Sequence, residues 1–288
     1  MSWVQVPPGA PTKFLALTRR VHKYLLTKSL VWRIMVKVVF DERFYNVYSS
    51  DPAATPGRME SIVNEIKGRF EFVSCSPASE DDVLLIHSRD HVERVKRLEQ
   101  VYSMALLAAG GAIEAAQIAL SGEAAFALIR PPGHHASRDH AWGFCYFNNI
   151  AIAVMKMLKM KKIRKALIVD FDLHFGDGTA NVFSGSLEVK YFHLPCKPRT
   201  EQIAELKDFL EKQGEYDMLA VSAGFDRHER DWGRMLKTED YYEIGRILRG
   251  FSLNKCKGVI FAVLEGGYNH SVLGKSVRAF LEGLRDVS

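Results

Sequence analysis

The chain has 288 residues, 47% of them hydrophobic and 25% charged, with a formal net charge of +5. That length and apolar share bury a large core, and the longest uninterrupted apolar runs, Ile150 to Met155 and Gly258 to Leu264, fall well short of the ~20 residues of a membrane-spanning helix. The positive charge is local: Lys13, Arg19, Arg20, Lys23, Lys28 and Arg33 stand in a stretch without Asp or Glu, so the remainder is close to neutral and offers no case for nucleic-acid binding.

Residues 1–34 therefore read as a basic extension: a targeting segment, an arm for an acidic partner, or a stretch upstream of a start at Met35. From residue 35 to 288, short aliphatic runs alternate with longer stretches of helical period, the pattern of βαβ units. Strands are predicted at Val36 to Phe40, Ala125 to Leu128, Ala166 to Asp170, Val189 to Leu194, Met218 to Ala223 and Gly258 to Leu264. Helices are predicted at Met59 to Lys67, Ser103 to Leu120, Asn148 to Met160, Glu201 to Gln213, Thr238 to Leu253 and Ser271 to Leu284. The fold class is α/β, a single doubly wound, mostly parallel sheet with helices on both faces. No linker divides this body. Cys75, Cys145, Cys196 and Cys256 are scattered and form no C-x-x-C pair, which fits a reducing, cytoplasmic setting.

Ligands of open parallel sheets bind beyond the carboxyl ends of the strands, so chemistry is sought there. The run Ala166 to Asp170 continues into Phe171-Asp172-Leu173-His174, and in an extended segment Asp170, Asp172 and His174 share one side. Two carboxylates and an imidazole past a buried strand suit a divalent cation. A second apolar run, Leu219 to Ala223, ends in Gly224-Phe225-Asp226, and Asp226 completes an Asp, His, Asp set with an open fourth position, the arrangement of catalytic zinc. After Ala125 to Leu128 comes Arg130-Pro131-Pro132-Gly133-His134-His135, a rigid turn that directs two adjacent imidazoles suited to acid–base work.

Taken in order, Arg130 to Ala136, Gly143-Phe144-Cys145-Tyr146-Phe147-Asn148-Asn149, Asp170 to Thr179, Ser222 to Asp226 and Glu265-Gly266-Gly267-Tyr268-Asn269 resemble the motif series of the histone deacetylase and acetylpolyamine amidohydrolase family, in its prokaryotic form. The resemblance runs from about Val36 to the end of the chain. It implies an arginase/deacetylase-like fold and a zinc-dependent amidohydrolase that removes acetyl or related acyl groups from acetyl-lysine, acetylpolyamines or small acylated amines by metal-activated water. It assigns zinc to Asp172, His174 and Asp226, and catalysis to His134, His135 and Tyr268. Asp170 is implied to orient His134, and Asp177 to orient His135. Gly143 and Phe144 are implied to line the acyl channel, with Arg58 and Gly267 also on the substrate side.

Four departures from that pattern stand out. Phe175 follows His174 where the family commonly has a second histidine. Tyr191 stands where a serine often helps to hold a potassium ion, so K⁺ binding is open, with backbone groups of Asp170, Asp172 and His174 left to support a weaker site. The stretch from Leu194 to Glu201 is short where relatives carry an aromatic second wall, so Phe144 is expected to face a wider opening. No equivalent of the acid at the channel rim is found, Glu99 being the nearest after Glu93. Two other functions are weighed: a two-metal ureohydrolase-like hydrolase, which needs a carboxylate where Gly176 stands, and a silent acyl-group binding protein, which leaves the catalytic set unexplained.

Overall fold

The computed structural model describes residues 36–286, so the basic extension expected over residues 1–34 lies outside them. In chain order the elements are β1 (Val36–Val39), α1 (Arg58–Ile66), β2 (Glu71–Val73), α2 (Glu80–Val83), α3 (Arg89–Lys96), α4 (Glu99–Leu120), β3 (Ala124–Ala127), α5 (Asn149–Lys159), β4 (Ala166–Asp170), α6 (Asp177–Val182), β5 (Val189–His193), α7 (Arg199–Glu211), β6 (Met218–Ala223), α8 (Thr238–Lys255), β7 (Ile260–Leu264) and α9 (His270–Arg285). The strands form one sheet in the order β2-β1-β3-β7-β6-β4-β5. Every neighbouring pair is parallel.

Every residue of β3, β4, β6 and β7 is buried. A strand covered by helices on both faces has no solvent side, so it reads as a continuous apolar run and not as an alternation. On one face α4 packs on β1, β3 and β7 and against α5, while α9 packs against α1 and α8. By length and hydropathy α4 could cross a membrane, with 22 residues and a mean hydropathy of 1.5, but 67% of that window is buried inside the protein. Its apolar character is that of a core helix.

Register brings the chemistry level. Asp170 on β4 pairs with Ser222 on β6, and Ala223 on β6 pairs with Leu264 on β7, so three strand exits open side by side. The loop after β3 joins them because Asn148, which caps α5 by accepting from Ala151 N–H at 3.1 Å, also donates from Nδ2 to the Ala136 carbonyl at 2.9 Å.

Candidate active site

Asp172, His174 and Asp226 meet at the exits of β4 and β6, with one donor atom from each lying within 4.8 Å of the others. His174 Nδ1 is 3.2 Å from Asp172 Oδ1 and 3.0 Å from Asp226 Oδ2. The other oxygens are engaged by backbone: Asp226 Oδ1 accepts from Leu173 N–H at 3.0 Å, and Asp172 Oδ2 accepts from Gly266 N–H at 2.8 Å. Asp226 Oδ2 is fully buried and has no hydrogen-bond donor. Burial and the neighbouring charge of Asp172 push the Asp226 carboxyl above its usual range, whereas the imidazoles of His134 and His174 outweigh burial and hold Asp172 below it. Two buried carboxylates facing one imidazole, one of them with an orphaned oxygen, fit a divalent cation.

The paired imidazoles face this cluster. His134 Nδ1 lies 3.0 Å from Asp170 Oδ2, and His135 Nδ1 lies 2.7 Å from Asp177 Oδ1. Both Nδ1 atoms are thereby occupied, which leaves each Nε2 for chemistry. Burial opposes the charge on His134, but Asp172 and Asp170 overcome it and raise its pKa well above normal. For His135 burial and the adjacent His134 charge prevail over Asp177 and lower it. The two rings are alike in sequence and split in protonation by their surroundings.

Sequence reasoning passed over the groups that hold this arrangement. Glu265, fully buried, accepts from Gly133 N–H at 2.7 Å and His134 N–H at 3.2 Å and from Ser222 Oγ–H at 3.1 Å, so it pins the histidine loop to β6 and β7. Asp231 Oδ2 accepts from the backbone N–H groups of Tyr268 and Asn269 at 2.8 and 2.7 Å. Trp142 stacks on His135 with ring centroids 4.0 Å apart and donates from Nε1 to Asp177 Oδ2 at 3.0 Å. The available signals were a carboxylate opening the Glu265 to Asn269 block and tryptophans in otherwise polar loops.

In front of the cluster is a cavity of about 140 Å³, whose lining includes His134, His135, Phe144, His174, Trp232 and Tyr268. Gly143 and Phe144 both take left-handed φ values, +60° and +66°. At Gly143 a side chain is excluded outright, because a Cβ would lie 2.5 Å from His135 Cδ2. The second wall, expected to be missing after Leu194, is supplied by the loop beyond β6. Trp232 sits edge-on to Phe144 at 6.4 Å and stacks on Tyr268 at 4.0 Å. The opening is therefore narrower than the short Leu194 to Glu201 stretch suggested.

Arg58 and Gly267 do not line this cavity. Fully buried, Arg58 donates to the carbonyls of Gly267 at 2.8 Å and Glu265 at 2.6 Å, and so holds the turn that presents Tyr268. Glu99 opens α4 and lines a separate apolar cleft with Arg43 and Tyr48, so it is no rim acid. Phe175 turns to solvent and packs edge-on against Tyr191 and His193 at 5.9 and 5.5 Å. A carboxylate at Gly176, which the two-metal reading needs, has no room: a Cβ there would lie 2.4 Å from Asp170 Oδ2 and 2.6 Å from the Tyr191 hydroxyl.

Comparison with known proteins agrees with this geometry. The family described as "Histone deacetylase domain" matches residues 53–199 and 201–284. A "Probable deacetylase" of Methanothermobacter thermautotrophicus is 33% identical over 285 residues, covering 79% of this chain and 84% of that protein. The "Polyamine deacetylase HDAC10" of Danio rerio is 28% identical over 313 residues, covering 83% of this chain and 46% of that one. Among solved structures, the HDA15 HD domain superposes with a TM-score of 0.74 at 25% identity, covering 88% of this chain and 90% of that domain.

Proposed function

The chain belongs to the histone deacetylase family, and on that premise we propose that it removes acetyl groups from amines at a single zinc ion held by Asp172, His174 and Asp226. It is a hydrolase of linear amide bonds. The observation that carries the metal reading is the buried, donor-free Asp226 Oδ2 at 3.0 Å from the Nδ1 of His174, whose ring lines the same cavity as both paired histidines. Zinc bound there would supply Lewis acidity for the amide carbonyl and for water.

The chain's own residues do the remaining work. His135, held neutral by burial and oriented by Asp177, takes the proton of the attacking water on Nε2 and delivers it to the leaving amine as the C–N bond breaks. His134, kept cationic by Asp170 and Asp172, steadies the negative charge that develops beside it. The Tyr268 hydroxyl donates to the oxyanion, held in place through Asp231, Arg58 and Trp232. Water adds to the carbonyl carbon, and acetate and free amine leave.

A cavity of about 140 Å³ between Phe144 and Trp232 suits a small acyl group on a slender alkyl amine. No carboxylate lines it, so its wall lacks a charge-assisted acceptor for peptide backbone N–H groups. Small acetylated amines are therefore the substrates we favour, with acetyl-lysine peptides used without strong context preference. Cys75, Cys145, Cys196 and Cys256 are all free thiols, which supports a reducing, cytoplasmic setting.

Release of free amine by the zinc-loaded protein from acetyl-lysine peptides, free acetyl-lysine, acetylpolyamines and longer acyl amides, with acetate or the longer carboxylate as co-product, tests this reading. Turnover of the small acetylated amines is expected, and a zinc-loaded protein that cleaves none of the panel would overturn it. Trp232→Ala should lower kcat/KM for acetylated amines about tenfold and lower it less for butyryl amides, because it removes a wall that a short chain needs more than a long one. Equal losses on both would show that Trp232 does not set acyl size.

The pH profile gives a further check. A base must be neutral to act, and the pKa of His135 is lowered from 6.5, so kcat/KM should stay on its plateau below pH 6.5 and fall only as the pH drops through that lowered value. An acid limb above pH 6.5 would remove His135 from the base role.

A further inference from the structure

The residue after Asp226 is a fully buried arginine with no carboxylate partner among the described residues. Arg227 is 0% exposed. Its Nε–H donates to the carbonyls of Phe171 at 2.9 Å and Asp172 at 3.0 Å. Its Nη2 donates to Asp172 O at 2.8 Å and to Leu194 O, and its Nη1 donates to Gln202 Oε1 at 2.8 Å and Pro195 O at 3.3 Å. These acceptors are neutral oxygens, and Nη2 also lies 3.4 Å from His193 Nε2. A buried guanidinium is costly unless its donors are satisfied, and in this chain carbonyls satisfy them at Arg58 and Arg130 as well. Here it is held as carbonyl dipoles hold a bare cation, oxygens converging in place of a hydration shell.

The location gives this cage its meaning. Asp172 is one of the three clustered donors, and its backbone carbonyl is the one that takes two bonds from Arg227. Leu194 and Pro195 follow β5, and Gln202 is on α7, so one guanidinium ties the exit of β4 to the exit of β5 and to a helix. Beside it Asp170, Asp172 and Asp226 place three buried carboxylates, all 0–1% exposed. A fixed positive charge at their back offsets part of that negative field and holds the Asp172 loop from behind.

A monovalent cation does not fit in the same place. The hydroxyl of Tyr191 donates to Asp170 Oδ2 at 2.9 Å and accepts from Gly176 N–H at 3.1 Å, so an oxygen that might ligate a cation is committed. Asp170 Oδ2 also meets His134, Asp170 Oδ1 accepts from Asp172 N–H at 2.9 Å, and His193 Nε2 stands 3.0 Å from Asp172 O. Of the backbone groups left open for potassium, the Asp170 carbonyl already accepts from Leu194 N–H at 2.8 Å and the Asp172 carbonyl already accepts from Arg227.

We propose that Arg227 is a built-in cation: its guanidinium occupies the carbonyl cage behind the metal loop, so the protein neither needs nor binds a monovalent ion there. Arg227 is a positioning residue: it touches none of the clustered donor atoms and acts on the site from behind, through the backbone it binds and through its charge. The structural half of this statement stands without the deacetylase reading, which enters only in its effect on rate.

The test compares the full-length protein in potassium chloride and in tetramethylammonium chloride at equal ionic strength, reading both Tm and, on an acetylated amine, kcat/KM. The wild type is expected to show the same Tm and the same kcat/KM in both salts. Arg227→Met, which keeps length and loses charge, should melt lower in tetramethylammonium, and potassium should raise its Tm by about 3 °C or more as the ion enters the vacated cage. Its kcat/KM should fall about tenfold or more and recover with potassium, while Arg227→Lys should keep part of the wild-type rate without it. A wild type that potassium stabilises or activates overturns the proposal, and that arm stands even if Arg227→Met fails to fold. So does an Arg227→Met protein whose lost Tm potassium cannot restore, because Arg227 is then only a packing residue. A wild type that hydrolyses nothing in either salt speaks against the function, while the Tm comparison still decides the role of Arg227.

Discussion

Asp226→Asn is expected to abolish metal binding and activity while making the metal-free protein more heat-stable at pH 8 than the metal-free wild type. Asp226 is fully buried, its Oδ2 has no donor, and Asp172 stands against it, so its pKa in the fold is raised above the ordinary 3.8. An acid with a raised folded pKa costs stability wherever the unfolded chain is ionised. That cost is absent below pH 3.8, grows as the pH rises past it, and is complete above the folded pKa. The asparagine removes the charge and hence the cost, but it also removes one of three metal donors. Loss of a partner that merely orients a ligand lowers metal affinity roughly 10–100-fold, and loss of a ligand should exceed that. Zinc should therefore raise the Tm of the wild type and leave that of Asp226→Asn unchanged. Tight zinc binding by the mutant, or a metal-free mutant less stable than wild type at pH 8, would place Asp226 among structural residues.

Tyr268→Phe should bind zinc as the wild type does and lose about 10²–10³ in kcat, with KM little changed, as expected for an oxyanion donor that acts only in the transition state. The substitution deletes one hydroxyl and keeps the ring, so the stack on Trp232 at 4.0 Å and the Arg58 guanidinium 5.6 Å from the ring centroid both persist. Backbone support from Asp231 is untouched as well, since it reaches Tyr268 through the N–H. Zinc content and Tm should match wild type, which separates a lost donor from a damaged site. A mutant with unchanged kcat would show that Tyr268 only lines the cavity.

Much of this was legible in the chain because the central strands are buried on both faces. For Ala166–Asp170 and Met218–Ala223 the apolar run and the strand coincide residue for residue. The edge strand Glu71–Val73 was not foreseen, since it is three residues long, partly exposed and carries no run. Glu80–Val83 and Arg89–Lys96 also escaped, being short helices rich in charge and held by serine caps at Ser79 and Ser88 more than by an apolar stripe. At the site, the motif blocks bring their own residues together, because each block sits directly on a strand exit. What they did not disclose are contacts made by the shape of a loop. Trp232 replaces a wall that the chain lacks elsewhere, Asp231 reaches the backbone of Tyr268, and Arg227 turns inward to carbonyls. No periodicity marks such positions; a tryptophan in a polar loop and an arginine directly after Asp226 were the signs there.

The central claim is one catalytic metal ion on Asp172, His174 and Asp226, and a zinc titration of the metal-stripped protein tests it most directly. With acetate release from an acetylated amine followed against added zinc, activity should be absent without metal, rise in proportion, and saturate at one equivalent per chain. Undiminished activity after complete metal removal, or a break at two equivalents, would contradict it.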